Sequence, residues 1–222
     1  ARQGGRQPSG GGQPLGPVRP VRHPHGATDR QAPPVTDGDG RGPSTLVNEP
    51  TPELTRAAEL IRDVPDFPEA GVLFRDVTPL LADAAAFGAV IGAMARPASG
   101  ADVVVGVEAR GFLLGAAVAL AAGVGMVPVR KAGKLPLVAA SRDYQLEYGS
   151  ATLELPAGGV HPGSRVYLVD DVLATGGTLR ASCELLEQVG AVVVGLGVLL
   201  ELTALGGRGA LAGRPLHALM RG

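Results

Sequence analysis

The chain is short of cysteine and of aromatic side chains. Its 222 residues include one cysteine, Cys183, no tryptophan, three tyrosines and four phenylalanines. A single cysteine excludes a disulfide within the chain, and packing in the interior is the usual role of such a residue. The four histidines do not form a metal-binding pair. His23 and His25 lie within residues 1–50, and His161 and His217 each stand alone in the sequence. The sequence therefore predicts no tight metal site made of protein ligands alone.

The chain also lacks a large net charge and an uninterrupted apolar stretch long enough to span a membrane. The formal net charge is -1 and the pI is about 6.5, which argues against a broad basic surface for nucleic acid. The uncharged stretch Phe112–Val129 is as long as a short membrane span, but Gly123, Gly125 and Pro128 interrupt it. We therefore predict a helix followed by a strand there, and no membrane contact. The lone cysteine and the lack of an N-terminal apolar signal predict a cytoplasmic protein.

Residues 1–50 differ in composition from the remainder of the chain. They contain 10 glycines and 9 prolines but no Phe, Tyr or Trp, and six arginines against four acids. Such a segment buries too little apolar surface to offset the entropy of ordering, so we predict a disordered Gly/Pro-rich tail. Its small positive excess is too weak to indicate nucleic acid. Residues 51–222 suit one domain.

The order of predicted elements indicates an α/β fold. Thr51 predicts the N-cap of a helix to about Arg62, and a second helix follows Asp83 over residues 84–95. The proline-rich segment between them predicts a hood or loop that is regular only at residues 72–74. Two strand-helix-strand units then follow, with strands at 103–107, 126–130, 166–169 and 191–200 and helices at 112–122 and 178–188.

Apolar strands that alternate with helices predict a parallel sheet covered on both faces, with ligands at the carboxyl ends of the strands. Glu108 and Asp170 lie at two such ends. Residues 136–155, between the two units, predict a long flexible hairpin outside the core.

The stretch 166-VYLVDDVLATGGTL-179 is the most informative part of the sequence. Two adjacent carboxylates, Asp170 and Asp171, follow an apolar strand and can accept hydrogen bonds from the two hydroxyls of a ribose. Small residues then precede a helix, where backbone N–H groups bind phosphate well. We predict that this turn holds a 5-phosphate; its residues are Ala174, Thr175, Gly176, Gly177 and Thr178. The alternative is an ordinary strand-turn-helix corner.

Two further stretches predict a diphosphate site. In 106-GVEARGF-112 the turn formed by Glu108, Ala109 and Arg110 leads into a helix. In VRKAGKLP the next strand ends in a cluster of cations, which are Arg130, Lys131 and Lys134. A diphosphate needs several positive partners, and the sheet predicted here brings the cluster close to Arg110. The alternatives are a plain helix start with an arginine and a solvated run of charge.

The VDDxLATGGT stretch resembles the phosphoribosyl-diphosphate (PRPP) motif of the type I phosphoribosyltransferases, in the form found in the adenine branch. The resemblance extends from Thr51 to about Leu219, with four motifs in the family's order. It implies a central, mostly parallel sheet with flanking helices, a small hood over the base and a flexible catalytic loop. It also implies a cis peptide between Glu108 and Ala109 in the diphosphate loop.

The same resemblance suggests roles for residues of the loop and the hood. The string 144-YQLEYGSATLE-154 matches the mobile catalytic loop, with Glu147 as the acid-base residue and Tyr148 as part of the lid. The string 71-GVLFRDVTPL-80 matches the hood, where Phe74 would stack on adenine and the backbone from Val72 to Arg75 would meet its polar edge. Leu202 would form the opposite apolar wall. The alternatives are an exposed hairpin glutamate and ordinary core residues.

The reaction implied by the resemblance is purine salvage, in which adenine and PRPP give AMP and diphosphate. Mg²⁺ would arrive with the substrate, and a homodimer is implied because part of the cation cluster reaches the neighbouring subunit in the family. Two alternatives remain open: a related purine enzyme, such as one acting on xanthine, and a non-catalytic regulator that senses PRPP. The Glu147 loop and the lack of a basic helix-turn-helix segment argue against the regulator.

Overall fold

The described part of the chain contains five α-helices and nine β-strands. The computed structural model of the protein describes residues 51–145, 149–211 and 213–222. Short 3-10 turns lie at Arg96–Ala98, Thr203–Leu205 and Gly207–Leu211. The other elements, in chain order, are α1 (Pro52–Glu59), β1 (Arg62–Pro65), β2 (Leu73–Asp76), α2 (Thr78–Ala82), α3 (Ala84–Ala95), β3 (Val103–Val107), α4 (Arg110–Ala122), β4 (Gly125–Lys131), β5 (Val138–Gln145), β6 (Ser150–Pro156), β7 (Arg165–Leu173), α5 (Gly177–Gln188), β8 (Val192–Glu201) and β9 (Leu216–Arg221).

A seven-stranded sheet forms the centre of the described region. Its strand order is β5-β6-β4-β3-β7-β8-β9, in which the strands from β4 to β9 pair in parallel and the β5–β6 hairpin pairs antiparallel at one edge. Helix α5 covers one face, whereas α1, α3 and α4 cover the other. Alternate residues of β3 and β7 enter the two resulting cores, as expected for strands buried on both faces. The predicted α/β fold with a mostly parallel sheet is confirmed.

The helix starts predicted from the sequence are confirmed by their caps. Thr51 Oγ1 accepts a hydrogen bond from Leu54 N–H at 3.3 Å, and Asp83 Oδ1 accepts one from Ala86 N–H at 3.0 Å. These bonds satisfy N–H groups that have no partner inside the helix. The end predicted for the first helix was wrong, because α1 stops at Glu59 and Arg62 begins a strand.

The proline-rich segment has more regular structure than the sequence predicted. Strands β1 and β2 pair antiparallel as a two-stranded sheet, and α2 follows directly. Ion pairs join the two strands, Arg62 to Asp76 at 2.6 Å and Arg75 to Asp63 at 2.7 Å. Residues far apart in sequence form these pairs, so a local pattern of prolines gives no sign of them.

Two other predictions about the sheet need correction. The hairpin was expected outside the core, but Tyr144, Leu153 and Leu155 are buried in it. The strand expected to end at Val169 continues to Leu173, because its pairing with β3 stops at Val169 while its pairing with β8 continues. The acid pair therefore lies within the last part of β7. Strand β9 was not predicted at all.

Cys183 packs in the core, as the sequence predicted. Cys183 is a free, buried cysteine on α5, and burial raises the pKa of its thiol to about 12, so it packs as a neutral side chain.

Within the described ranges, every helix is too short or too polar to cross a lipid bilayer.

Candidate active site

A cleft of about 280 Å³ opens at the carboxyl ends of β3 and β7. It lies where β7 has lost β3 as a neighbour and is paired on one side only. This is the position at which parallel α/β sheets usually bind ligands. The residues that line it are Glu108, Ala109, Arg110, Lys131, Tyr144, Leu153, Asp170, Asp171 and Thr178.

The two adjacent carboxylates meet in this cleft and are both buried. The side chain of Asp170 accepts a hydrogen bond from the Asp171 N–H at 2.9 Å. Helix α4 starts close by, since a Cβ built on Gly111 would lie 2.8 Å from Asp170 Oδ1. Burial raises the pKa of the Asp170 carboxyl well above its usual value, and the charge of Asp171 raises it further. Hydroxyl donors or a cation brought by a ligand would favour its charged form.

Arg110 connects the acid pair to the hood. Its Nε lies 2.7 Å from Asp171 Oδ2, and its Nη1 donates to the Arg75 carbonyl oxygen at 3.3 Å. The guanidinium also lies over the Phe74 ring, 5.0 Å from the ring centre, in a cation-π contact. Phe67 meets the same ring edge-on at a centroid distance of 5.2 Å. One side chain therefore joins the predicted sugar site to the predicted base site.

Glu108 gathers the cations of the next strand. Its carboxylate accepts hydrogen bonds from the Lys131 N–H at 2.9 Å and from Lys134 Nζ at 2.7 Å, and Arg130 Nε is 3.4 Å away. Burial would raise the pKa of Glu108, but the bonds from Lys134 and Lys131 outweigh it and keep the pKa below its usual value. Glu108 is thus an anion that holds cations near the cleft.

The structure brings only part of the predicted diphosphate set into the cleft. Arg110 and Lys131 line it, whereas Arg130 and Lys134 are tied to it through Glu108. The Arg130 guanidinium lies over the Phe112 ring at 5.9 Å. The peptide between Glu108 and Ala109 is cis, as the resemblance implied.

The predicted phosphate turn leads directly into α5. Gly176 has φ of 83°, a left-handed conformation that favours glycine, and α5 begins at Gly177. Thr178, in the first turn of α5, lines the cleft. The first N–H groups of a helix have no partner within it, so they are free to meet a phosphate. The turn has the local geometry expected of an anion site.

The base-site residues do not line the cleft. Val72 is exposed on the hood, and the Phe74 ring and the Arg75 carbonyl oxygen contact Arg110, which lines the cleft. Leu202 follows β8 and donates its N–H to the Leu173 carbonyl oxygen at 2.9 Å. Glu147 and Tyr148 lie outside the described residues.

Two residues of the cleft were missed as site residues. Tyr144 and Leu153 come from the paired strands of the hairpin, and both are buried. The alternation of apolar residues in 151-ATLEL-155 is a strand signal that could have placed Leu153 on an inner face.

Comparison with known proteins places the chain in a family. Residues 81–210 match the model of the phosphoribosyl transferase domain. The chain is 59% identical to the adenine phosphoribosyltransferase of Saccharopolyspora erythraea over 178 residues, which cover 80% of this chain and 97% of that protein.

Solved structures give the same result. The adenine phosphoribosyltransferase of Thermoanaerobacter pseudethanolicus has a TM-score of 0.73 and 46% identity, covering 76% of this chain and 99% of that one. The enzyme from Saccharomyces cerevisiae, solved with adenine and an imino-altritol bisphosphate, has a TM-score of 0.71 and 39% identity, covering 75% and 98%.

Proposed function

The chain belongs to the adenine phosphoribosyltransferases of the phosphoribosyl transferase family, and from this we propose which of its residues carry out the reaction. The enzyme transfers the 5-phosphoribosyl group of PRPP to adenine, giving AMP and diphosphate, a step of purine salvage. The observation that carries the residue assignment is the buried acid pair, Asp170 and Asp171, in a cleft beside the start of α5.

The acid pair and the turn after it hold the two ends of the ribose 5-phosphate. The carboxylates accept hydrogen bonds from the ribose hydroxyls, which offset the cost of keeping these groups buried. The backbone N–H groups of residues 174–178 bind the 5-phosphate at the start of α5. Thr178, which lines the cleft, adds a hydroxyl donor.

The diphosphate is held on the opposite side of the cleft. Arg110 and Lys131 line this side and offer charge-assisted hydrogen bonds, and Glu108 and Ala109 line the cleft beside them. Arg130 and Lys134 complete a positive field that Glu108 keeps in place. This side stabilises the negative charge that grows on the diphosphate as it leaves.

Adenine stacks on Phe74 beneath the hood. One side of the ring faces Arg110, and the base takes the other, with the backbone from Val72 to Arg75 at its polar edge and Leu202 as the second wall. An aromatic ring stacks on any purine, so selection of adenine depends on backbone donors and acceptors that fit the 6-amino group.

The chemical step exchanges one bond at C1′ for another. The bond from C1′ to the diphosphate oxygen breaks, adenine N9 forms a bond to C1′, and the N9 proton leaves for a base. We assign that base to Glu147, with Tyr148 closing over the sugar, on the strength of the family resemblance. A lid at this place would keep water from an electron-poor sugar carbon.

Mg²⁺ fits the site as an ion carried by the substrate. In the ranges 51–145, 149–211 and 213–222, no three His, Cys, Asp or Glu side chains cluster as a metal cage. The ion would be held by the diphosphate oxygens, the ribose hydroxyls and water, and the oxygen atoms of Asp170 and Asp171 would contact it through water. The ion would neutralise charge on the diphosphate oxygens.

A cytoplasmic homodimer is the assembly we propose. Leu113 and Leu120 lie seven residues apart on the outer side of α4 and are 55% and 83% exposed. Exposed apolar side chains at such spacing suit a second copy of the chain, and α4 leads from the diphosphate loop. Sedimentation velocity at micromolar concentration tests the dimer, and a lone monomer would contradict it.

A substrate comparison tests the function as a whole. Adenine, hypoxanthine, guanine and xanthine are each supplied with PRPP and Mg²⁺, and nucleotide formation is followed by absorbance, with PRPP omitted as the control. We expect AMP formation at a rate well above that of the other three nucleotides. Faster turnover of xanthine would favour the related purine enzyme, and duplex DNA binding without AMP formation would favour the regulator.

A further inference from the structure

Another buried carboxylate, besides Asp170 and Asp171, lies outside the cleft at the end of β8. Glu201 is the last residue of that strand and is only 5% exposed. Arg208, in the 3-10 turn Gly207–Leu211, donates from Nε to one Glu201 oxygen at 2.8 Å and from Nη2 to the other at 2.6 Å. A two-bond pair of this kind fixes orientation as well as distance.

The Glu201–Arg208 ion pair connects three parts of the chain, which are the end of β8, the 207–211 turn and the start of β9. Arg208 Nη1 also donates to the carbonyl oxygen of Leu216 at the start of β9, and Arg221 Nε lies 3.5 Å from Glu201. The hydrogen bonds from Arg208 lower the pKa of Glu201, so the carboxyl is charged at neutral pH. A buried charge is costly to leave without its partner, which makes the position of Arg208 well defined.

The turn held by Arg208 packs directly against the predicted phosphate turn. A Cβ built on Gly176 would lie 2.5 Å from the Gly207 carbonyl oxygen and 3.0 Å from Ala210 Cβ. From the other side, a Cβ on Gly207 would collide with the Ala174 carbonyl oxygen and would lie 3.0 Å from the Ala174 carbonyl carbon. The two backbones therefore touch without intervening side chains, and a shift of one displaces the other.

The sheet strengthens this connection. Glu201 is paired with Leu173 across β7 and β8, and the next residue, Leu202, donates its N–H to the Leu173 carbonyl oxygen at 2.9 Å. Leu173 immediately precedes the phosphate turn. The Glu201 carboxylate therefore lies on the strand next to the one that leads into the phosphate turn. It also holds the 207–211 turn, which packs on the phosphate turn.

We propose that Glu201 and Arg208 are positioning residues for the 5-phosphate of PRPP: their ion pair holds the 207–211 turn against residues 173–176 and thereby fixes the backbone donors of the phosphate turn. Neither residue touches the substrate in this proposal. It deepens the proposed function and rests on its assignment of the 5-phosphate to residues 174–178.

The test compares Arg208→Lys with a matched control at another arginine in the segment between β8 and β9. Lysine keeps the charge but cannot form the two-bond pair. Arg214 forms a similar pair with Glu187, with distances of 2.9 to 3.1 Å, at the opposite end of α5, so Arg214→Lys removes the same kind of interaction away from the phosphate turn. Glu201→Asp serves as a second variant that shortens the other partner.

Calorimetric titration with ribose 5-phosphate and, separately, with diphosphate separates the two halves of the site. We expect Arg208→Lys and Glu201→Asp to bind ribose 5-phosphate about tenfold more weakly, with the Kd for diphosphate changed less than about twofold. The KM for PRPP should rise while the KM for adenine stays nearly constant. Arg214→Lys should leave all four values close to those of the unaltered enzyme.

Two results would overturn the proposal. In the first, Arg208→Lys and Glu201→Asp give the same binding and KM values as Arg214→Lys. In the second, the binding of ribose 5-phosphate, diphosphate and adenine weakens equally as the Tm falls, which a general loss of structure would produce. Failure of the proposed function looks different, because the unaltered enzyme would then not bind ribose 5-phosphate at all.

Discussion

At the scale of single residues, Asp170 and Asp171 show a conflict between stability and ligand binding. Two neighbouring carboxylates are buried side by side, and the pKa of Asp170 is raised by burial and by Asp171. A raised pKa means that the folded state holds its proton more tightly than the unfolded state. The stabilisation that the protonated Asp170 carboxyl contributes to the folded state is therefore present at low pH. It is lost as pH rises from the pKa of this group in the unfolded state through its pKa in the folded state. Such a cost is typical of a functional site.

Replacing Asp170 with Asn should reveal this cost. The neutral amide does not titrate, and its oxygen can still accept the Asp171 N–H. We expect the Tm of Asp170→Asn, relative to the unaltered protein, to increase as pH rises from about 5 to 8, while activity with PRPP falls. Thermal melts across this range, without substrate, measure the effect. A Tm difference that does not change with pH would contradict the raised pKa.

Asp171→Asn tests the sugar contact itself. The change removes the ionic partner of Arg110, and it would remove the charge-assisted hydrogen bond to the ribose that we propose. We expect kcat/KM for PRPP to fall by an amount corresponding to about 1 to 3 kcal/mol. Steady-state kinetics with adenine at saturation measure it. Unchanged kinetics would remove Asp171 from the sugar site.

Glu147→Gln tests the assigned base. Glutamine keeps the shape of the side chain but cannot accept the N9 proton, so we expect kcat to fall by about two orders of magnitude or more with little change in either KM. Stopped-flow or steady-state measurement of AMP gives the value. A variant with full kcat would show that the proton leaves by another route.

At the scale of elements, the hood is joined to the sheet at the active site through Arg110. This side chain contacts the Arg75 carbonyl oxygen and the Phe74 ring from the hood, and Asp171 from β7. The base pocket that we propose therefore lies where a small two-stranded sheet approaches the parallel sheet. A change in the hood should affect adenine more than PRPP.

Phe74→Leu tests this separation. Leucine keeps the position apolar but offers no flat face to a purine or to Arg110. We expect the KM for adenine to rise about tenfold and the KM for PRPP to change less than about threefold. If both constants rise together, Phe74 acts through Arg110 and the sugar site, and stacking on the base is excluded as its main role.

At the scale of the whole molecule, the folded domain carries all the residues assigned to the reaction. The phosphoribosyl transferase match lies within residues 81–210, and the first 50 residues contribute none of the proposed contacts. Their glycine and proline content gives them little apolar surface to bury. We expect them to be dispensable for both stability and activity.

Deleting residues 1–50 should leave the Tm and the rate of AMP formation nearly unchanged. The comparison uses the full chain and the shortened chain, both measured by thermal melting and by the AMP assay. A fall in Tm of more than a few degrees would show that the tail packs on the domain. Lower activity at equal Tm would indicate a part for the tail in substrate binding.

Much of the fold and part of the site could be predicted from local patterns. The strand Val103–Val107 was placed correctly, and the starts of α1 and α3 followed from their capping residues. The acid pair and Thr178 were placed in a site, and the cleft contains them. In each case the signal comes from residues next to one another in sequence, where backbone preference and apolar periodicity act directly.

Local residue patterns are sufficient to predict the two strand-helix-strand units, the acid pair and the small-residue turn, because each lies within one short stretch of the chain. The tertiary structure alone decided that β7 continues past the acids, that the hairpin enters the core, that Arg110 bridges Asp171 and the hood, and that Glu201 holds the 207–211 turn. Most of these features depend on partners that lie many residues apart, and only the packing of the sheet brings such partners within hydrogen-bonding distance. Arg208 is only seven residues from Glu201, but no single helix or strand contains both, so a local pattern does not predict their contact.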